Sequence, residues 1–276
     1  MGSVFSPYYN WAGHRDPENH VAINVCLYGP RGNLWAMTER GRGALSREAG
    51  AFRVGPSGLD WDGTRLRVEF DEVTVPLPRR IRGRVTLWPE AVTTEPLALD
   101  AGGRHRWWPI APMARVEVKT DRPGFGWRGH GYFDSNWGAE MLEHGFRRWD
   151  WSRALTSRGA AVLYDMTMAD GTRRGLALEI GRDGAITPFE PPPRQPLPRG
   201  FWGVRRFVQT EAGGARIVRR MEDAPFYTRA ALETHLMGER VPAVHETLDC
   251  RRFANPLVRM MLPVRMPRRG GFSGVK

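Results

Sequence analysis

Lysine is almost missing from this chain of 276 residues: Lys119 and Lys276 are the only two, so all but two of its 41 basic residues are arginine. Cysteine is as scarce, with Cys26 and Cys250 in unrelated contexts. No basic segment leads into an apolar run near the start, so a secreted disulfide scaffold is not expected. Both cysteines are expected as reduced, buried, structural thiols of a cytoplasmic protein. No stretch approaches eighteen uninterrupted apolar residues, so no helix is expected to span a bilayer. Met1-Gly2-Ser3 with Ser6 offers only the outline of an acylation signal. There is no Gly-x-Ser-x-Gly elbow and no serine in a nucleophile context. The seven histidines show no ligand spacing to Cys or Asp, so neither a hydrolase triad nor a catalytic metal is expected.

The net charge of +11 therefore comes from arginine. It fits a nucleic acid, an anionic membrane surface, or arginine-rich composition without a partner. RNP-like aromatic strands, zinc-finger spacings and a helix-turn-helix are all absent, which ranks the membrane above nucleic acid.

What the chain does contain is short β-rich runs closed by turn residues. Val21–Tyr28 and Leu34–Glu39 flank Gly-Pro-Arg-Gly-Asn, and Asp62-Gly63 joins Leu59–Trp61 to Thr64–Phe70. Arg80–Leu87, Leu97–Asp100, Arg104–Trp108 and Arg115–Lys119 continue the series. Beyond Asp121-Arg122-Pro123-Gly124 the same alphabet returns from Trp149 to Leu248, with Phe226–Met237 read as a strand paired to Val241–Leu248. Residues 1–20 read as an ordered aromatic loop, and Pro191–Pro198 as an exposed connection. Some sixteen strands without helical period predict an all-β fold of two tandem eight-stranded antiparallel barrels, residues 1–124 and 125–276. The tail Arg251–Arg269 mixes apolar residues with arginines, and reads either as an interfacial segment or as the closure of a barrel.

Two clusters stand out. One is Gly129-His-Gly-Tyr-Phe-Asp-Ser-Asn-Trp-Gly138, continued by Phe146-Arg-Arg-Trp-Asp-Trp151; the other is His105-Arg-Trp-Trp-Pro109. Strand alternation puts Tyr132 and Asp134 on one face and His105 and Trp107 on one face, which favours these four as one lining. A carboxyl among aromatic rings is a candidate for a raised pKa. Trp108 by the same parity faces away, and Asn136 serves either Asp134 or the turn. Asp150, between Trp149 and Trp151, is the second carboxylate candidate, expected to pair with Arg147 or Arg153.

Val4-Phe-Ser-Pro-Tyr-Tyr9, Trp35-Ala-Met-Thr-Glu-Arg-Gly41, Asp71-Glu-Val-Thr-Val-Pro76, His105-Arg-Trp-Trp-Pro109 and Gly131-Tyr-Phe-Asp-Ser-Asn136 together resemble the carotenoid 1,2-hydratases of phototrophic bacteria. The resemblance runs from the first residues to Pro225-Phe226-Tyr227 and His245-Glu246. More distantly, Gly131-Tyr132, Trp137-Gly138 and Trp149-Asp150-Trp151 are similar to a motif of the tocopherol cyclases. The resemblance implies lipocalin-like barrels, and water addition to the terminal double bond of an acyclic carotenoid without metal or redox cofactor. It implies Asp134 as the acid, Trp107, Trp137 and Tyr132 as faces for a carbocation, and His105 or the regenerated Asp134 as the base. Trp108, Asn136, Trp149 and Trp151 are expected to contact substrate. Peripheral contact with lipids of the inner or intracytoplasmic membrane follows from so apolar a substrate. No nucleic-acid partner is expected, and the oligomeric state stays open. The competing expectation is a lipocalin-like carrier that binds an isoprenoid or lipid without converting it.

Overall fold

The computed structural model describes residues 3–30 and 32–269. Met1 and Gly2, considered above for acylation, lie outside them. The chain falls into two compact units, each made of separate segments: unit 1 takes residues 1–88, 115–130 and 259–276, unit 2 residues 89–114 and 131–258. Asp121–Gly124 lies within the second segment of unit 1.

Unit 1 opens with α1 (Pro7–Trp11), where a loop was expected. Ser6 caps it, its hydroxyl accepting the Tyr9 N–H at 2.9 Å. The hairpin of β1 (Asn24–Gly29) and β2 (Gly32–Met37) follows, in register from Asn24↔Met37 to Gly29↔Gly32. After β3 (Glu39–Arg40) come β4 (Leu45–Glu48), β5 (Ala51–Val54), β6 (Ser57–Trp61), β7 (Leu66–Val73) and β8 (Arg80–Pro89), each antiparallel to the one before from β4 onward. The β6–β7 turn uses Gly63 at φ +92°, open to glycine without strain. With β9 (Leu97–Ala98), β10 (His105–Thr120) and β11 (Trp127–Gly138) these strands form an eight-stranded sheet ordered β11-β10-β8-β7-β6-β5-β4, β9 pairing β10. Residues 115–120 of β10 and 127–130 of β11 belong to unit 1; the remainder of both strands belongs to unit 2. Val25, Leu27, Ala36, Phe70 and Ile81 form a core of unit 1.

Unit 2 is built on a seven-stranded antiparallel sheet. Its members are β12 (Phe146–Leu155), β13 (Gly159–Met168), β14 (Arg173–Gly181), β15 (Ile186–Pro188), β18 (Arg216–Asp223), β19 (Tyr227–Leu236) and β20 (Glu239–Asp249), in the order β15-β14-β13-β12-β20-β19-β18. The segment expected to pair as Phe226–Met237 with Val241–Leu248 does so as β19 and β20, from Tyr227↔Leu248 to Leu236↔Glu239. A separate hairpin, β16 (Arg194–Leu197) with β17 (Arg206–Gln209), contributes Leu197 and Val208 to the main core with Ala154, Leu163, Ala230, Leu232 and Leu236.

The fold is all-β as expected, but neither large sheet closes into a barrel among the described residues. The ends of the seven-stranded sheet explain this. At one end β15 is three residues long and leads into prolines that have no N–H to donate. At the other, β18 carries two register shifts.

The tail is helical rather than a closing strand. It forms α3 (Cys250–Phe253) and α4 (Pro256–Arg265), preceded in the chain by a short α2 (Leu142–Gly145) and followed by β21 (Arg268–Arg269) parallel to β3. Cys250 is buried as expected, whereas Cys26 is only half-buried.

Candidate active site

Cross-strand partners on antiparallel strands share a face. In unit 2 the register pairs Tyr164 with Trp151 and Trp151 with Glu246, and β19 adds Arg229 opposite Glu246. One row thus crosses four strands: Tyr164, Trp151, Glu246, Arg229. Onto it pack the unit 2 residues of β10 and β11. The Tyr132 ring lies 5.4 Å from that of Trp151, and the buried Trp107 ring sits edge-on to Tyr164 at 5.3 Å. Trp149 flanks Tyr164 at 6.4 Å and Phe146 at 5.3 Å.

Asp134 sits within this aromatic lining. Its Oδ2 accepts the Trp107 indole N–H at 2.9 Å, the Tyr132 hydroxyl at 3.0 Å and, at the limit of reach, the Asn136 amide at 3.4 Å. The indole N–H also reaches the Tyr132 oxygen at 3.2 Å, and the Tyr164 hydroxyl donates to Asn136 Oδ1 at 3.4 Å. Burial raises the Asp134 pKa, the charge of Glu246 adding to it and the two strong donors opposing it. Asp134 as a residue keeps partial solvent contact. The protein atoms crowding its carboxyl nevertheless outweigh that contact. The Tyr132 and Tyr164 phenols are pushed well up, chiefly by burial and next by the Asp134 charge.

His105 is placed differently. It is buried, and its Nδ1 faces Asp100 Oδ2 at 3.0 Å. Asp100 also accepts the backbone N–H groups of His105 at 2.7 Å and Arg104 at 3.1 Å. Those bonds hold its carboxyl below the usual range against the opposing effect of burial. The imidazole is clamped between Gly138 and Gly145: a Cβ on Gly145 would stand 2.5 Å from His105 Cε1, and one on Gly138 2.8 Å from Cδ2. Phe146 closes the third side at 4.7 Å.

Of the expected residues, the structure brings together Trp107, Tyr132, Asp134, Asn136, Trp149 and Trp151. His105 is linked to that group through its strand and Phe146. Trp108 faces the other side of β10 and donates to Thr93 Oγ1 at 3.0 Å. Trp137 alternates off the Asp134 face and is 45 % exposed. Asp150, expected beside Arg147 or Arg153, instead binds Arg148 at 2.9 Å. It lies on the opposite face of the sheet, where it accepts the Thr247 hydroxyl at 2.5 Å and the Phe207 N–H at 3.1 Å. Arg153 points its guanidinium at Pro112 O and over the Tyr132 ring.

Sequence reading missed Tyr164, Asp100 and the pair Glu246–Arg229. Tyr164 had a signal, being the one phenol in the apolar run of β13. Asp100 reads locally as a turn residue, and Glu246 reaches the site only through strand pairing.

The profile of the carotenoid hydratase CrtC family matches residues 1–274. This chain belongs to the CrtC carotenoid hydratase family. An acyclic carotenoid 1,2-hydratase of Thiocapsa roseopersicina is 52% identical over 98% of this chain and 68% of its own length. One from Cereibacter sphaeroides is 45% identical over 99% of this chain and 98% of its own. At the level of fold, a candidate AttH protein from Nitrosomonas europaea superposes with a TM-score of 0.51 at 12% identity, covering 83% of this chain and 91% of that one.

Proposed function

We propose that this CrtC-family chain is a cofactor-independent hydro-lyase that adds water across the terminal C1=C2 bond of acyclic carotenoids such as neurosporene and lycopene, giving the tertiary alcohol. The relatives named above are acyclic carotenoid 1,2-hydratases, and the Asp134 site supplies what that chemistry needs. A trisubstituted alkene is a weak base, so the acid must stay neutral until it acts.

The observation that carries the reading is the asymmetry of the Asp134 carboxyl. All three of its donors converge on Oδ2. With these donors on Oδ2, the proton that burial favours on this carboxyl is assigned to Oδ1. Transfer from Oδ1 to C2 uses the π electrons for the new C–H bond and leaves the cation at tertiary C1. The charge left on Asp134 is then held by Trp107 and Tyr132, whose bonds strengthen once the acceptor is an anion. Rings of Tyr132, Trp149, Trp151 and Tyr164 present π density to the cation, worth about 0.5–2 kcal/mol per face. Water closes the reaction at C1. His105, its Nδ1 committed to Asp100, acts in this reading as a prop for Phe146 and the start of β12.

The expected lipid contact has a physical counterpart in α4. Leu257, Met260, Met261 and Val264, 44–71 % exposed, recur there at i, i+3, i+4 and i+7, with Arg251, Arg265 and Arg269 exposed nearby. We read this as peripheral docking on an anionic inner or intracytoplasmic membrane. Among the described residues no helix is long and apolar enough to cross one.

The test is incubation of the protein with lycopene or neurosporene in liposomes, followed by mass-resolved chromatography, with Asp134→Asn alongside. A product heavier by one water from the wild type alone is expected. Binding without conversion by both would make the protein a carrier, and conversion by both would remove Asp134 from the acid role.

A further inference from the structure

Hydration needs a base as well as an acid, since the attacking water must lose a proton as its oxygen bonds to C1. The bases expected from sequence were His105 and the regenerated Asp134. His105 has its Nδ1 on Asp100 and its ring enclosed by Gly138, Gly145 and Phe146. Asp134, once ionised, keeps its Oδ2 on the Trp107 and Tyr132 donors.

A second carboxylate lies in the same lining. Glu246 sits directly beside Trp151 in register, on the face over which Tyr132 packs. Arg229 holds its Oε1 at 2.6 and 2.8 Å. Between Glu246 and Tyr164 in the cross-strand row stands Trp151, whose indole N–H is buried and without a partner among the described residues. A buried donor left unmade costs roughly 1–3 kcal/mol, which a bound water would relieve. A water that accepts the Trp151 N–H and donates to Glu246, its cross-strand neighbour, would satisfy the indole.

We propose, on the reading that Asp134 is the acid, that Glu246 is the general base: it takes the proton of the water held by Trp151 as that water adds to C1. The site then divides its work between two carboxyls in different surroundings: burial favours the proton on Asp134, and Glu246 lies against the Arg229 guanidinium. The closeness of the two also appears in the raised pKa of Asp134, to which Glu246 contributes. In the step itself Asp134 Oδ1 gives its proton to C2, the water oxygen bonds to C1, and the second water proton moves to Glu246 Oε2. Solvent returns that proton to Asp134, and nothing is oxidised or reduced.

The experiment is Glu246→Gln in D2O, with Asp134→Asn and the wild type, reading both hydration and deuterium in recovered carotenoid. Removing only the base leaves protonation of the alkene intact. The cation then collapses by losing a proton back to Asp134, which washes deuterium into C2 and the terminal methyl groups. Glu246→Gln is expected to hydrate about 100-fold more slowly, a general-base loss, while still exchanging deuterium; Asp134→Asn is expected to do neither. Wild-type hydration by Glu246→Gln overturns the proposal. So does a folded Glu246→Gln that neither hydrates nor exchanges, since Glu246 would then act before the cation forms. Hydration by Asp134→Asn overturns instead the reading of the acid. Glu246→Asp, which keeps the charge one methylene further back, is expected to recover part of the hydration rate, and its failure to exceed Glu246→Gln also counts against the proposal.

Discussion

The pKa of Asp134 is raised chiefly because protein replaces water around its carboxyl, with the Glu246 charge adding to the effect. Two consequences of opposite sign follow. The acid works only while protonated, so hydration falls as pH rises through the raised pKa, and a pH–rate profile reads this directly. For stability, the unfolded carboxyl titrates near its ordinary value of about 3.9. Between that value and the folded one the folded state binds more protons, so stability is lost as pH rises through the window. Asp134→Asn is therefore expected to abolish turnover while melting at or above the wild type at neutral pH, with the advantage shrinking near pH 4. Gly145 makes the complementary case. A methyl there meets the clamped His105 ring at 2.5 Å. Gly145→Ala is expected to cost roughly 1–3 kcal/mol of overpacking, read by denaturant unfolding.

On the scale of elements, β12 separates two kinds of buried polar group. Its odd residues face the aromatic site. Its even residue Asp150 faces the β16–β17 hairpin, where Arg148, Thr247 and the Phe207 N–H bind it. His245, pushed down by burial, donates from its Nε2 to Phe207 O at 2.8 Å. This polar clasp fastens the hairpin to the sheet and stands behind Trp149 and Trp151. Asp150→Ala would strip the carboxylate from the half-buried Arg148 and leave the Phe207 N–H without its acceptor, and is expected to cost about 1–3 kcal/mol. Faster hydrogen exchange at the Phe207 amide than in the wild type would register the loosened hairpin.

At the scale of the whole molecule, several of the motifs that carry the resemblance lie in unit 1, within buried polar clusters. Glu39, fully buried, gathers Ser6, His20 and Arg268, and Arg40 pairs with the buried Glu72 at 2.8 Å under the Ser57 hydroxyl. These clusters tie α1 and β21 onto the strands of unit 1. The exposed apolar row of α4 has a different expected use. Leu257→Ser with Met260→Ser is expected to lower binding to anionic vesicles in co-sedimentation about tenfold or more. Hydration of substrate in detergent should be unchanged by the pair. Raised salt should weaken wild-type binding.

The sequence by itself determined the all-β class, the family, and the core of the site. Alternation along a strand is local, so Tyr132 with Asp134, and His105 with Trp107, could be placed on shared faces by counting. The same rule turned Trp108 away, whereas Trp137, expected at the cation, was left off the Asp134 face by the structure. Composition and turn chemistry likewise located β19 and β20, because glycines and β-rich runs act over a few residues. What only the tertiary structure decided depends on pairing between distant strands. Register across β13, β12, β20 and β19 brought Tyr164, Glu246 and Arg229 to the Asp134 lining, and sent Asp150 to the other face with Arg148. Whether a sheet closes depends on the length and regularity of its edges, and short β15 and irregular β18 left open what the strand count had suggested as a barrel. Nor could spacing show that His105 turns to Asp100, since that orientation comes from two glycines and a phenylalanine packed around one ring.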